Sequence, residues 1–335
     1  MPRFPALPAA ATLAVATVML LTGCGTAAGG ADDGTGTLRV VATTTQVADF
    51  TREIAGGSAE VTQLIQPNQS AHSYDPSAAD LLALSEADVL VSNGAGLEEW
   101  LDDAVEASGF DGLLIDASTG IRLDAEHAGE GEHAEDAAPD DHDHAENPHI
   151  WTDPKLAEQM VDTIAHGLAG ADADQAAAIL ANADAYAAKL DALDAWSREN
   201  IETIPADERL FVSNHDAFGY FVEAYGIDYV GSVIPSFDDN AEPSAAEIDR
   251  LVAAITATGT QAVFSEASLS PKLADTIARE AHVKVYDGDE ALYGDSLGPA
   301  GSDGDTYIAA QLHNVRQLLD SWGVTPTPLP AALGG

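Results

Sequence analysis

The chain has 335 residues, and its 56 acidic side chains against 13 basic ones give a formal net charge of -43 at pH 7. Such a charge repels nucleic acid and anionic lipid and attracts cations, which excludes nucleic-acid binding. The length suggests two domains. Because the chain has a single cysteine, it cannot form an internal disulfide, and its ten histidines are the available soft metal ligands.

The first residues have the features of a bacterial export signal. Arg3 supplies a positive charge, and the apolar run from Ala9 to Leu21 fits a signal-peptide core but is short for a membrane span. The run ends in LTGC, which resembles the lipobox of bacterial lipoproteins. We predict an extracytoplasmic protein anchored to the cell membrane, with a signal peptide over residues 1–23, lipid attachment at Cys24 and a flexible tether over 24–37.

Short β-rich runs alternate with helical patterns in both halves of the remaining chain. The predicted strands are LRVVATT, EVTQLI, DVLVSN and GLLID in the first half, and RLFVSN, IDYVGSVI, QAVFSE and VKVYD in the second. Strands that alternate with helices indicate parallel βαβ units. The predicted fold class is therefore α/β, with two Rossmann-like lobes built on parallel sheets.

One uninterrupted helical segment separates the two halves. The stretch from Asp172 to Asn200 contains no Gly or Pro and is rich in Ala, which predicts a helix about 40 Å long at about 1.5 Å per residue. It is either a strut along both lobes or an ordinary surface helix of one domain. The predicted domains are a first lobe over 38–171, a linking helix over 172–201, a second lobe over 202–323 and a tail over 324–335.

An acidic, histidine-rich segment over residues 124–146 interrupts the first lobe. It contains almost no apolar residue and predicts a solvated loop with four histidines, His127, His133, His142 and His144. Two interpretations remain open. The loop either collects metal weakly near a binding cleft or is an insertion without effect on transport.

Three other histidines fall in predicted strand-to-helix loops. His72 follows the strand EVTQLI and precedes Asp75-Pro76, which has the features of a helix start. His149 precedes a second such start, Asp153-Pro154, and His215 lies between the strand RLFVSN and the next helix. In parallel α/β lobes these loops gather at the carboxyl ends of the strands, where ligands bind.

Asp295, in a Gly-rich loop after the last predicted strand, is a fourth candidate ligand. Three imidazoles and one carboxylate form a four-coordinate shell that suits zinc and leaves no position for a reactive water, which favours capture and release over hydrolysis. Glu266 either orients His215 as a hydrogen-bond acceptor or caps a loop. Taken singly, each histidine could instead cap a helix, and Asp295 could shape a turn.

Four motifs together resemble one known family. These are HSYDPS around His72, NPHIWTDP around His149, SNHDAFGYF around His215 and YGDSLG around Asp295. They are similar to motifs of the solute-binding proteins of zinc and manganese ABC transporters, the cluster A-I metal receptors, over Leu38 to Gly323. The resemblance implies two α/β lobes joined by one long helix, with His72 and His149 from the first lobe and His215 and Asp295 from the second. It also implies a receptor, not an enzyme, that delivers metal to an ABC permease and its ATPase, and we expect a monomer.

His215, the third candidate ligand in chain order, bears on the choice of metal. Manganese members of the family usually have a carboxylate where this chain has His215, and imidazole suits zinc better. We predict Zn²⁺ as the transported ligand, with Mn²⁺ as the alternative. Two other classes of function are a secreted zinc enzyme, for which the sequence has no HExxH motif, and a metal-binding surface adhesin, which the same lipid anchor would serve.

Overall fold

The structure is a computed structural model that describes residues 37–123 and 146–334. Several predictions fall outside these residues. They are the signal peptide, the lipid attachment at Cys24, nearly all of the tether, and the four histidines of the acidic loop, His127, His133, His142 and His144.

The first lobe is a four-stranded parallel sheet with the strand order β2-β1-β3-β4. Its strands are β1 (Leu38–Ala42), β2 (Ala59–Gln63), β3 (Val89–Ser92) and β4 (Leu113–Asp116). The helices between them are α1 (Thr45–Ala55), α2 (Ala78–Glu86) and α3 (Leu101–Ser108). All four strands coincide with predicted runs, and β1 and β3 are the most deeply buried of them.

The second lobe repeats the arrangement with two parallel strand pairs, β5 with β6 and β7 with β8. Its strands are β5 (Leu210–His215), β6 (Asp228–Ile234), β7 (Ala262–Phe264) and β8 (Lys284–Tyr286). Its helices are α6 (Gly219–Tyr225), α7 (Ala245–Thr258), α8 (Lys272–Ala281) and α9 (Tyr307–Ser321). Every strand pair in the described residues is parallel, which confirms the predicted α/β class with parallel sheets.

Two long helices, α4 (Pro154–Ala171) and α5 (Ala176–Ile201), pack against each other between the lobes. Helix α5 is the helix predicted to begin at Asp172. It begins four residues later because Asp172 ends α4, and the Asp172 side chain accepts hydrogen bonds from the backbone N–H groups of the turn between the helices. With 26 residues, α5 is about 39 Å long at about 1.5 Å per residue.

The start of α2 differs from its prediction. The Asp75-Pro76 pair was predicted to open this helix, but Ser77 is its N-cap residue. The Ser77 hydroxyl accepts from the backbone N–H of Asp80, and the Asp80 carboxylate accepts from the backbone N–H of Ser77. This reciprocal capping box stabilises the later start. The comparable Asp153-Pro154 pair is not followed by a capping box, and Asp153 caps α4 as predicted.

One continuous apolar core joins the two lobes through α5. Helix α5 packs against α1 of the first lobe and α9 of the second. The ring of Phe50 on α1 lies 4.8 Å from the ring of Tyr307 on α9 and 6.2 Å from that of Tyr186 on α5. Because packed cores rearrange in discrete steps, this shared core restricts the relative movement of the lobes.

Within the part of the chain that the structure describes, no helix combines the length and apolar character that crossing a membrane requires.

The buried face of α5 can be tested with a matched pair of leucines. Leu190 is fully buried, whereas Leu180 on the same helix is 36% exposed. We expect Leu190→Ala to lower the free energy of unfolding by about 2–5 kcal/mol, because it removes packing at the junction of the lobes. Leu180→Ala should change it by less than about 0.5 kcal/mol. Urea unfolding measures both, and equal effects would contradict this orientation of the helix.

Candidate metal centre

The structure brings His72, His149, His215 and Asp295 into one cluster. One ligand atom from each residue lies within 4.8 Å of all the others. His72 and His149 come from the first lobe and its junction with α4, whereas His215 and Asp295 come from the second lobe. The cluster therefore lies where the carboxyl ends of the two sets of strands face each other.

His72 lies in the loop between β2 and α2. Its backbone N–H donates to the Ser70 hydroxyl at 3.2 Å, and the indole N–H of Trp100 donates to the neighbouring carbonyl of Ala71 at 3.1 Å. The His72 side chain is 10% exposed, whereas the side chains of the other three cluster residues are completely buried. His72 is thus the member of the cluster that is nearest to solvent.

His149 precedes the short 3-10 helix Ile150–Thr152, which leads into α4. The Asn147 side-chain oxygen accepts from His149 Nδ1 at 2.7 Å and from its backbone N–H at 3.1 Å. The Asn93 amide donates to the carbonyl of Pro148 at 3.1 Å, and the Tyr220 hydroxyl donates to that of Asn147 at 2.9 Å. These contacts leave the Nε2 lone pair of His149 directed at the cluster.

His215 is the last residue of β5, so the strand extends further than predicted. Glu266 Oε1 accepts from His215 Nδ1 at 2.6 Å and from its backbone N–H at 3.3 Å. A buried carboxylate on the far nitrogen fixes the tautomer and increases the basicity of Nε2. Of its two suggested roles, Glu266 therefore has the geometry of the acceptor that orients His215.

Asp295 presents both carboxylate oxygens to the three imidazoles. Oδ1 lies 3.3 Å from Nε2 of His149, and Oδ2 lies 3.3 Å from Nε2 of His72 and 3.4 Å from Nε2 of His215. Both oxygens are buried, and within the described residues neither accepts a conventional hydrogen bond. The three imidazoles are the groups that stabilise this buried carboxylate, and together the four side chains could hold a metal ion.

Five separations within the cluster are close to the edge length of a tetrahedral metal shell. Nε2 of His149 lies 3.2 Å from Nε2 of His72 and 3.3 Å from Nε2 of His215. A tetrahedron with metal–ligand distances of about 2.0–2.1 Å has edges of about 3.3–3.4 Å. The three distances to Asp295, which involve both of its carboxylate oxygens, are 3.3–3.4 Å, so the cluster has the size of a site for one metal ion.

The burial and charges of the cluster set the protonation of its members. Burial alone would raise the pKa of Asp295, but the imidazoles of His215 and His149 hold it well below its usual range. Burial lowers the pKa of His149 to about 4. Burial also opposes protonation of His215 and His72, but the nearby carboxylates outweigh it and raise the pKa of both residues. Asp295 is therefore ionised, and protons compete with a metal for two of the imidazoles.

The loop that carries Asp295 is held by the first lobe. The carbonyl of Gly294 accepts from the Gln46 side-chain amide at 3.0 Å and from the Trp151 indole at 3.1 Å. The Thr45 hydroxyl accepts from the backbone N–H of Leu297 at 2.9 Å. A Cβ atom at Gly294 would lie 2.0 Å from Glu266 Oε2, so only glycine fits there. We refer to these contacts of Gln46, Trp151 and Thr45 as the interlobe clasp.

Sequence reasoning missed Gln46, Asn147 and the role of Tyr220. Gln46 follows the carboxyl end of β1, so the rule that indicated the histidines applies to it too, although an amide is a weaker signal for a site. Asn147 lies two residues before His149, and its role depends on a turn that the sequence does not specify.

The remaining described histidines lie outside the cluster. His166 is exposed on α4 and lies 2.9 Å from the Asp162 carbonyl through its Nδ1 atom. His282 forms the C-cap of α8. His313 is buried on α9, where its Nε2 atom hydrogen-bonds to the Ala291 carbonyl at 3.0 Å.

Comparisons with known proteins agree with this fold. The family model ZnuA, described as zinc-uptake complex component A, periplasmic, matches residues 40–321. The manganese-binding lipoprotein MntA of Halalkalibacterium halodurans is 32% identical over 298 residues, which cover 89% of this chain and 92% of the relative. The zinc-binding protein TroA of Treponema pallidum is 30% identical over 288 residues, covering 84% and 87%.

A solved structure supports the same assignment. The periplasmic zinc binding protein TroA from Treponema pallidum superposes with a TM-score of 0.72 and 26% identity, over 86% of this chain and 99% of that one. The family match includes both lobes and all four cluster residues. The prediction of a receptor of this kind, not an enzyme, is therefore confirmed. The chain belongs to the ZnuA family of metal-binding solute-binding proteins of ABC importers.

Proposed function

We propose that this protein captures one zinc ion between its two lobes through His72, His149, His215 and Asp295. One observation carries the proposal, namely that three imidazoles and one carboxylate from both lobes meet in a buried cluster of the size of a single metal site. The ion is cargo, which the protein passes to an ABC permease that its ATPase drives. The relatives include proteins named for zinc and proteins named for manganese. The proposal of zinc therefore rests on the chemistry of the four donor atoms.

Three imidazole nitrogens and one carboxylate favour zinc over manganese. Imidazole is a preferred ligand of zinc, whereas manganese prefers oxygen donors. His215 is the decisive residue, since its replacement by a carboxylate would give two nitrogen and two oxygen donors. The hydrogen bond that His215 Nδ1 donates to Glu266 strengthens the Nε2 atom of His215 as a metal ligand.

The site also fits capture better than catalysis. All four positions of a tetrahedral shell are supplied by side chains when Asp295 binds through one oxygen, so no position is left for a reactive water. Three of the four ligand side chains are completely buried, which excludes a large substrate from the metal. A closed shell suits an ion that is held and later released as cargo, and not one that activates a water.

The proposed domain organisation follows from the ligands. A first lobe over 38–171 and a second over 202–323 each supply two of them, and the linking helix over 172–201 joins the lobes. A lipid on Cys24 would keep the receptor at the membrane that contains the permease, and we propose that it acts as a monomer.

Removal of a ligand tests the site. We expect His215→Ala to lower zinc affinity at least about 100-fold, because loss of a direct ligand should cost no less than loss of an outer-shell partner. His166→Ala, at an exposed histidine of α4, is the matched control and should leave the affinity unchanged. Chelator competition measures both variants. Unchanged zinc affinity in His215→Ala would remove this residue from the site.

The contribution of His215 to metal choice can be tested separately. A carboxylate at this position would repel Glu266, so the variant should combine His215→Glu with Glu266→Gln. We expect the ratio of zinc affinity to manganese affinity to fall by about tenfold or more, because an oxygen donor replaces a nitrogen donor. Competition titrations with both metals measure the ratio, and Glu266→Gln alone is the control. A ratio equal to that of the control would contradict the proposed role of His215.

A further inference from the structure

The buried site has one exposed edge, at His72. The side chain of His72 is 10% exposed, whereas those of His149, His215 and Asp295 are completely buried. An ion that enters or leaves the shell without disruption of the core therefore passes beside His72. The groups that line this edge decide how the ion exchanges its water ligands for protein ligands.

Residues 235–240, which follow β6, lie beside the cluster; we call them the β6 loop. The ring of Phe237 is 6.3 Å from that of His149. The carbonyl of Ser236 accepts from the backbone N–H of Asp216, the residue after His215, at 3.1 Å. The β6 loop of the second lobe is thus attached to one ligand and lies against another.

Asp239 is the buried acidic residue of the β6 loop. It is 7% exposed, although it lies between the exposed residues Asp238 and Asn240. Its Oδ1 atom accepts from the Asn240 amide at 2.8 Å, whereas its Oδ2 atom is buried and has no hydrogen-bond partner in the described residues. A carboxylate that is held through one oxygen and has the other free has the form of a metal ligand that awaits its ion.

Asp239 lies near the exposed edge of the cluster. It is buried in the loop whose Phe237 ring lies 6.3 Å from the ring of His149. Burial raises the pKa of Asp239, and the charges of His72 and His215 oppose that rise, which agrees with a position close to both imidazoles.

We propose that Asp239 is a transit ligand, which binds the ion briefly beside His72 as the ion moves between solvent and the four-ligand shell. This inference rests on the proposed function. On entry, the Asp239 carboxylate replaces a water of the hydrated ion, and the buried imidazoles then replace Asp239 and the remaining waters. On release the order is reversed. Carboxylates suit this step because they bind hydrated divalent ions through one oxygen.

The neighbouring residue Asp238 has a different role, which makes it a matched control. Its Oδ1 atom accepts from both the backbone N–H and the side-chain amide of Asn240, at 2.9 and 3.0 Å, and the residue is exposed. Asp238 therefore shapes the β6 loop and contributes the same charge as Asp239 without a buried, unpartnered oxygen.

The rates of metal exchange test the proposal. Co²⁺ is the probe, because its visible absorption reports a tetrahedral shell of nitrogen and oxygen ligands. Stopped-flow mixing measures the rate at which Co²⁺ binds, and mixing with excess chelator measures the rate at which it is removed. A transit ligand lowers the barrier in both directions. We expect Asp239→Asn to slow both rates by about tenfold, which is the lower end of the effect of charge on association rates. The spectrum of bound Co²⁺ and the equilibrium affinity should stay unchanged.

Three further variants serve as controls. Asp239→Ser should slow both rates as Asp239→Asn does, Asp239→Glu should retain the fast rates, and Asp238→Asn should match the unmodified protein.

Three results would overturn the transit role. The first is unchanged exchange rates in Asp239→Asn. The second is equal slowing in Asp238→Asn, which would mean that only the negative charge of the loop matters. The third is equal slowing in Asp239→Glu, which would mean that side-chain packing, not the carboxylate, sets the rates. Failure of the unmodified protein to bind Co²⁺ in a tetrahedral shell would instead contradict the proposed metal site.

Discussion

The carboxylate of Asp295 is the group on which the rest of the site depends. It is buried, it accepts no conventional hydrogen bond from the described residues, and it faces three imidazoles that belong to both lobes. A charge in such a place is stable only beside a cation. The surrounding acceptors, Asn147 and Glu266, direct the lone pairs of His149 and His215 at the same point. These contacts fix the arrangement of the proposed metal site.

The two lobes are joined more tightly than a simple hinge would require. A continuous core runs from α1 through α5 to α9, and the interlobe clasp holds the Asp295 loop from the opposite lobe. Metal release therefore requires either a break in this clasp or an exit past His72. The position of Asp239 favours the exit past His72, because that route requires movement of the β6 loop only and leaves the core packed.

Local signals in the sequence predicted most of the fold and all four members of the cluster. His72 follows β2 and His215 ends β5, so the geometry of parallel sheets favours these positions as ligands, whereas His149 lies just before the short 3-10 helix that leads into α4. Local signals failed where two of them competed, as at Pro76 and Ser77. The clasp of Gln46 depends on a contact between the lobes, which no local pattern encodes.

The central claim is that one ion is held by ligands from both lobes. Anomalous diffraction at the zinc absorption edge, from crystals of the zinc-loaded protein, tests it most directly. The account predicts one strong peak bonded to Nε2 of His72, His149 and His215 and to the carboxylate of Asp295, at about 2.0–2.2 Å. A peak bound by residues of one lobe only, or a cluster without a peak in zinc-loaded crystals, would contradict it.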